Sequence, residues 1–238
     1  MADPKLPAKR AAATAAIDAF VRDGMTVGLG SGSTSLCAVD ILAERIKKRG
    51  FSIIGVVTSR QTQAAAKQGQ IPIRAPEDIE KIDVTIDGAD EIDGGMRAIK
   101  GGGRCLLWEK IIAHASVRMV VMVDEGKVVK TLGAFPLPIE VIPFGFTITC
   151  KAIDALIRAH GYPNARLVRR DQDKTPVLTD SGHWLVDVHG LRLDDPEPLA
   201  LALNQVPGVV ETGLFVSEVD AVVVGRDNGD SQIKTRDA

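Results

Sequence analysis

The densest chemistry in this 238-residue chain lies in residues 86–110, IDGADEIDGGMRAIKGGGRCLLWEK. Asp87, Asp90, Glu91 and Asp93 fall within seven positions. Carboxylates that close oppose one another's ionisation, and such clusters serve as acid/base or metal sites. Lys100 follows, and then Gly101, Gly102 and Gly103. Three consecutive glycines let backbone N–H groups approach an oxygen-rich ligand, and the lysine adds a cation that can stabilise an oxyanion. The apolar spacing of CLLWEKIIAHA predicts a helix that begins near Arg104 and carries Glu109. Cys105, Leu106, Ile112 and Ala113 share the face of Glu109. On so apolar a face the charged form is disfavoured, a setting for a general base. The alternative is a side chain that points along the helix edge into water.

A second candidate is Gly28-Leu29-Gly30-Ser31-Gly32-Ser33-Thr34, between an expected strand and an expected helix. Glycines allow close backbone approach, hydroxyls donate, and a helix N-terminus favours an anion, so phosphate is the natural ligand. A plain tight turn is the bland reading. A dinucleotide fingerprint requires G-x-G-x-x-G, and a Walker A loop requires Gly-Lys-Ser/Thr; this stretch has neither. Asp87-Gly88-Ala89-Asp90 reads either as a solvated acidic turn or as a functional loop. A divalent cation fits poorly, because the spacing is not that of a calcium loop and no histidine stands nearby. Lys127, Lys9 and Arg10 are further candidate cations, each with an exposed surface lysine or arginine as its bland reading. His114, His160, His183 and His189 lie in unrelated contexts and read as structural.

Strands and helices must position these groups. Helical patterns at 8–21 and 59–68, and a loop plus helix within 31–50, alternate with strand patterns in MTVGLG, FSIIGVVTS, KIDVTID and VRMVVMVDEGK. Gly50 closes the second helix. Such alternation predicts a parallel α/β sheet, whose ligands bind beyond the strands' carboxyl ends. Residues 30–34, 87–90 and 124–127 all fall at such ends. After GAFPLPIEVIPFG the order becomes β-α-β-β-α-β, a ferredoxin-like pattern, and VDAVVVGR is a buried-type strand suited to the first sheet. The expectation is therefore an α/β fold: a Rossmann-like parallel-sheet domain over 1–134 and 214–238. A smaller ferredoxin-like α+β domain, 135–213, is inserted before the C-terminal strand as a lid or oligomerisation element.

With 45% hydrophobic and 25% charged residues the composition is that of a globular protein. A net charge of −2 and few aromatics argue against nucleic acid, and no apolar run is long enough to span a bilayer. Cys37, Cys105 and Cys150 have neither metal nor disulfide spacing, which suits a cytoplasmic protein.

DGADEI, KGGG and the Glu-Lys pair nine and ten positions after Lys100 resemble type A ribose-5-phosphate isomerase. TSRQT, FPLPIEVIP, DVHG and PGVVETGLF extend the resemblance over nearly the whole chain, with departures at Arg104, Cys105 and Trp108. It implies an aldose–ketose isomerase of the pentose phosphate pathway that needs no cofactor or metal. Ser31, Gly32, Ser33 and Thr34 would hold the substrate phosphate. Asp87, Gly88, Ala89 and Asp90 would contact the sugar, with the two aspartates moving protons. Lys100, Gly101, Gly102, Gly103 and Lys127 would bind substrate, and Glu109 would be the base. A homodimer or homotetramer is implied. The rival class is a sugar-phosphate sensor without catalysis, which would usually lack the carboxylate at Glu109.

Overall fold

A computed structural model describes residues 3–236. The helices are α1 Leu6–Phe20, α2 Gly32–Arg49, α3 Arg60–Gln68, α4 Leu106–His114, α5 Phe146–Ala159 and α6 Glu197–Leu203. The strands in the first half are β1 Thr26–Leu29, β2 Ile54–Val57, β3 Val84–Gly88, β4 Glu91–Asp93, β5 Ala98–Ile99, β6 Met119–Asp124 and β7 Val128–Val129. Those in the second are β8 Leu137–Val141, β9 Arg166–Arg169, β10 Asp171–Gln172, β11 Thr175–Pro176, β12 Trp184–His189, β13 Val209–Thr212, β14 Leu214–Phe215, β15 Ala221–Gly225 and β16 Ser231–Thr235. The chain forms two compact units. One takes the chain up to Ala89, Trp108–Val128 and the chain from Glu218 onward; the other takes Asp90–Leu107 and Val129–Ser217.

The first unit is built on a six-stranded sheet in the order β16-β15-β6-β3-β1-β2. Every neighbouring pair is parallel except β15 with β16. All six residues of β6 are buried, as a continuous apolar run predicts for a strand covered on both faces. The core joins Ile17 of α1 and Leu42 of α2 to Leu29, Ile86, Met122 and Val223 of the sheet. Ala8, Ala12, Ala13 and Ala16 give α1 a face of small buried residues. At Gly225 a Cβ would lie 2.0 Å from the Ala8 carbonyl oxygen, so helix and strand touch backbone to backbone. The Rossmann-like arrangement follows, and VDAVVVGR returns to this sheet as expected. The exposed edge strand β16 carries no apolar alternation and was not legible in advance.

In the second unit, apart from the short β10–β11 hairpin between β9 and β12, the chain runs β8-α5-β9-β12-α6-β13, and the sheet order is β13-β8-β12-β9, antiparallel throughout. This is the ferredoxin-like pattern. Leu137, Ile139 and Val141 meet Ile153 and Ile157 of α5 and Leu199 and Leu203 of α6 in its core. Segment 90–107 also belongs here, whereas the sequence pattern placed it with the first domain. Its two-residue strand β5 pairs with β14 through Ile99–Leu214 and Ala98–Phe215, a ladder too short to leave a periodic signal.

Glu140 is the buried oddity of this sheet, 1% exposed on β8. Its Oε1 accepts the Thr179 hydroxyl at 2.8 Å and His183 Nδ1–H at 2.8 Å. Its Oε2 has no hydrogen-bond partner among the described residues. Burial pushes the carboxyl up from 4.5, and the hydrogen bonds from His183 and Thr179 oppose that push. A raised native value means the proton is held more tightly in the folded state. The associated stability is complete below about pH 4.5 and is lost as pH rises through the native value. Glu140→Gln keeps an oxygen for both donors and removes the ionisation. Urea denaturation from about pH 4 to about pH 8 should show wild type losing ground to the variant as pH rises. Parallel profiles would show that Glu140 does not titrate in folding.

Candidate active site

In the first unit the candidate groups sit at the carboxyl ends of β1, β3 and β6, adjacent strands in the order β6-β3-β1. Asp87 lies inside β3, one residue before its end, and is fully buried. Its Oδ1 accepts the backbone N–H of Ser31 at 2.9 Å, the Ser35 hydroxyl at 3.0 Å and the N–H of Gly88 at 2.7 Å. The carboxylate thereby fastens the start of α2 to β3. Gly30 is required, because a Cβ there would lie 2.0 Å from Asp87 Oδ1. Ser31 Oγ lies 2.6 Å from Thr58 Oγ1, which ties the loop to the end of β2 as well.

Gly32, with φ of +81°, turns the chain into the first turn of α2, which contains no acidic residue. Lys9, only a secondary candidate in the sequence, reaches this turn from α1: its Nζ donates to Ser33 Oγ at 2.8 Å and pairs with Asp3 at 2.6 Å. A helix N-terminus, hydroxyls and a lysine form an anion-binding constellation. No local pattern signals Lys9, because the contact joins residues 24 apart. Thr34 is close to the β3 end, where a Cβ on Gly88 would lie 3.7 Å from its Cβ. Lys127 is half-buried in the short turn Glu125–Lys127 after β6, a turn capped by Asp124 accepting from Gly126 N–H at 3.0 Å.

Glu109, on α4, is 4% exposed, and Ile112 and Ala113 of its face are buried. The solvated reading therefore falls and the buried-carboxylate reading stands. The helix begins at Leu106 rather than near Arg104, whose φ of +69° lies outside the helical range.

The remaining candidates belong to the second unit. Asp90 Oδ2 accepts the Gly102 N–H at 2.7 Å. Lys100 is 2% exposed; its backbone N–H donates to the Gly213 carbonyl at 2.9 Å, and its ammonium lies 5.3 Å from the Phe215 ring centroid. A Cβ on Gly102 would sit 2.5 Å from Asp90 Oδ1, so the carboxylate would have to move to admit one. Glu91 and Asp93 leave the cluster for structural work. Glu91 accepts the N–H groups of Gly133 and Phe135 at 2.7 and 2.6 Å, and Asp93 pairs with Arg97 at 2.6 Å.

A family model for ribose 5-phosphate isomerase A (phosphoriboisomerase A) matches residues 54–229. The chain is 46% identical to ribose-5-phosphate isomerase A 2 of Yersinia pseudotuberculosis over 99% of this chain and 100% of that one. The chain belongs to the ribose 5-phosphate isomerase A family. Solved relatives agree in fold. The Methanocaldococcus jannaschii ribose 5-phosphate isomerase A superposes with a TM-score of 0.87 at 35% identity, over 96% of this chain and 98% of that one. A D-ribose-5-phosphate isomerase in complex with phospho-erythronic acid gives 0.86 at 37%, over 96% and 97%.

The contact between Gly30 and Asp87 yields a direct test. Gly30→Ala forces the carboxylate or the loop to move and should cost about 1–3 kcal/mol of stability. It should also weaken anion binding at the α2 N-terminus. Urea denaturation and titration with inorganic phosphate check both; a variant with unaltered midpoint and affinity would show that the loop yields freely.

Proposed function

We propose that the protein interconverts D-ribose 5-phosphate and D-ribulose 5-phosphate through an enediolate, in the non-oxidative branch of the pentose phosphate pathway. The observation that carries this reading, given the family, is the burial of Glu109 on an otherwise apolar helix face. A sensor domain would have no use for a carboxylate held out of water at that position.

The reaction moves a proton from C2 of the open-chain aldose to C1, while a second proton passes between the two oxygens. In this reading the phosphate rests on residues 31–34 with Lys9 beside Ser33. Glu109 takes the C2 proton and returns it to C1. That proton is only weakly acidic until the neighbouring carbonyl is polarised. Lys100 and the amides of the glycine loop supply the polarisation and stabilise the enediolate oxygen. Asp87 and Asp90, each fixed by backbone N–H donors, contact the sugar hydroxyls and serve ring opening and proton movement. Lys127 adds a further substrate contact. The phospho-erythronic acid bound by the solved relative supports the charge pattern, because it combines a phosphate with a planar anionic carboxyl. No cofactor enters this scheme: the substrate carbonyl and the protein's acids and bases suffice.

Positioned acid–base groups typically contribute about a hundred- to ten-thousand-fold. Glu109→Gln should lower kcat by that order while leaving substrate affinity nearly unchanged. Single-turnover kinetics together with calorimetric binding would decide it, and near-normal turnover would remove Glu109 from the base role. Wild-type protein treated with EDTA should convert ribose 5-phosphate with nothing added. Binding without conversion would favour the sensor class.

The reading also places the enzyme in the cytoplasm as a homodimer or homotetramer. Phe144 and Ile148, 88% and 75% exposed on the α+β unit, support such a contact. Sedimentation equilibrium should return two or four times the 25.3 kDa chain mass; a monomer would refute it.

A further inference from the structure

Arg170 was not singled out by any sequence pattern, yet its guanidinium makes four hydrogen bonds, two to Asp187 and two to the glycine loop. It directly follows β9, and its backbone is tied on both sides: its N–H donates to the Leu185 carbonyl at 2.9 Å, and its carbonyl accepts from Val177 N–H at 2.9 Å. Its Nε and Nη2 grip the Asp187 carboxylate of β12 in a two-pronged pair. Its Nη1 then donates to the carbonyls of Gly101 at 2.8 Å and Gly102 at 3.3 Å. Both charged side chains are more than four-fifths buried.

The consequence follows from peptide planarity. In a trans peptide the carbonyl and the next N–H point in opposite directions. The Gly101–Gly102 peptide has its carbonyl on Arg170 and its N–H on Asp90 Oδ2 at 2.7 Å. It is therefore held at both ends, and its orientation fixes that of the Asp90 carboxylate. The Gly102 carbonyl is drawn to the same Nη1, so the Gly103 N–H is turned to the face opposite Arg170. Both amides thus face away from Arg170, the Gly102 N–H onto Asp90 and the Gly103 N–H on the same side. Gly101, with φ of +110°, makes the bend possible.

We infer that Arg170, oriented by Asp187, is a positioning residue for the isomerisation: it sets the glycine-loop peptides and, through the Gly102 amide, Asp90. The inference rests on the proposed role of Asp90 and residues 100–103 in binding substrate. A lysine cannot replace the arginine, because one ammonium cannot serve a carboxylate and two carbonyls in that planar fork.

The test is a cycle of Arg170→Lys, Asp90→Asn and the double variant, with kcat, KM and inhibition by inorganic phosphate measured for each. Arg170→Lys keeps the positive charge beside Asp187. It should lower kcat by up to about a hundredfold, since small misplacement of reacting groups has that effect. The inhibition constant for inorganic phosphate should stay unchanged, whereas general unfolding would move both. In the Asp90→Asn background the further loss from Arg170→Lys should shrink to a few-fold, because both changes act through one peptide. Full kcat in Arg170→Lys, or an undiminished loss in the Asp90→Asn background, overturns the inference. Asp90→Asn with wild-type kcat overturns instead the reading on which it rests. If Arg170→Lys is unstable, Arg170→Met with Asp187→Leu removes both charges. With a normal melting temperature, low kcat supports the inference and normal kcat overturns it.

Discussion

A carboxylate with no exposure must find donors, and Asp87 takes three on a single oxygen. Hydrogen bonds to a charged group contribute about 1.5–3 kcal/mol each, and a buried charge deprived of them is far worse than no charge at all. This requirement organises the loop around it. The Ser31 N–H must point at β3, so the start of α2 is docked there. Ser35, one turn into the helix, adds its hydroxyl from the same side. Gly30 must lack a side chain, because the carboxylate occupies that space. With the Ser31 amide committed to Asp87, the proposed anion site is left to the Ser33 and Thr34 side of the first turn, where Lys9 donates to Ser33 Oγ.

The second unit repeats the device with other parts. Asp90 takes the Gly102 amide, and the absent Cβ of Gly102 makes room for the carboxylate. In both places an aspartate and a glycine specify each other: the glycine lets the backbone approach, and the aspartate gives the exposed amide a partner. The difference lies in what holds the far side of the peptide. Gly30 has strand backbone on its flank, with its N–H on the Ile86 carbonyl at 3.0 Å. At the glycine loop after β5 that part is taken by the Arg170 side chain, from just beyond β9.

Much of this was legible in the sequence for definite reasons. Buried parallel strands leave continuous apolar runs, so β6 and β15 could be read directly. Gly50 and the glycine-rich turn after β1 mark helix boundaries by chemistry local to the chain. The β-α-β-β-α-β order of the second unit needs only element types. What stayed hidden depends on contacts far apart in sequence. Lys9 looked like any surface lysine until α1 was laid beside α2. Glu91 and Asp93 looked like members of one acidic cluster with Asp87 and Asp90. Their real partners are the amides of Gly133 and Phe135 and the guanidinium of Arg97, and the first two lie more than 40 residues away. The assignment of 90–107 to the second unit failed to register because two-residue strands carry no period.

The electrostatics of the proposed reaction follow from these local arrangements and not from the molecule as a whole. A sugar phosphate and its enediolate are both negative, and the chain itself carries a net charge of −2. No long-range field draws such a substrate in. In the proposed reading attraction comes from local groups: the α2 N-terminus with Lys9 and the lysine after β6 in the first unit, and the buried Lys100 in the second. Burial makes those few sufficient, since a charge shielded from water acts through a lower effective dielectric. Within its own unit each carboxylate has local donors: Asp87 takes two backbone N–H groups and the Ser35 hydroxyl, and Asp90 takes the Gly102 amide, while the Lys100 ammonium lies 5.3 Å from the Phe215 ring centroid.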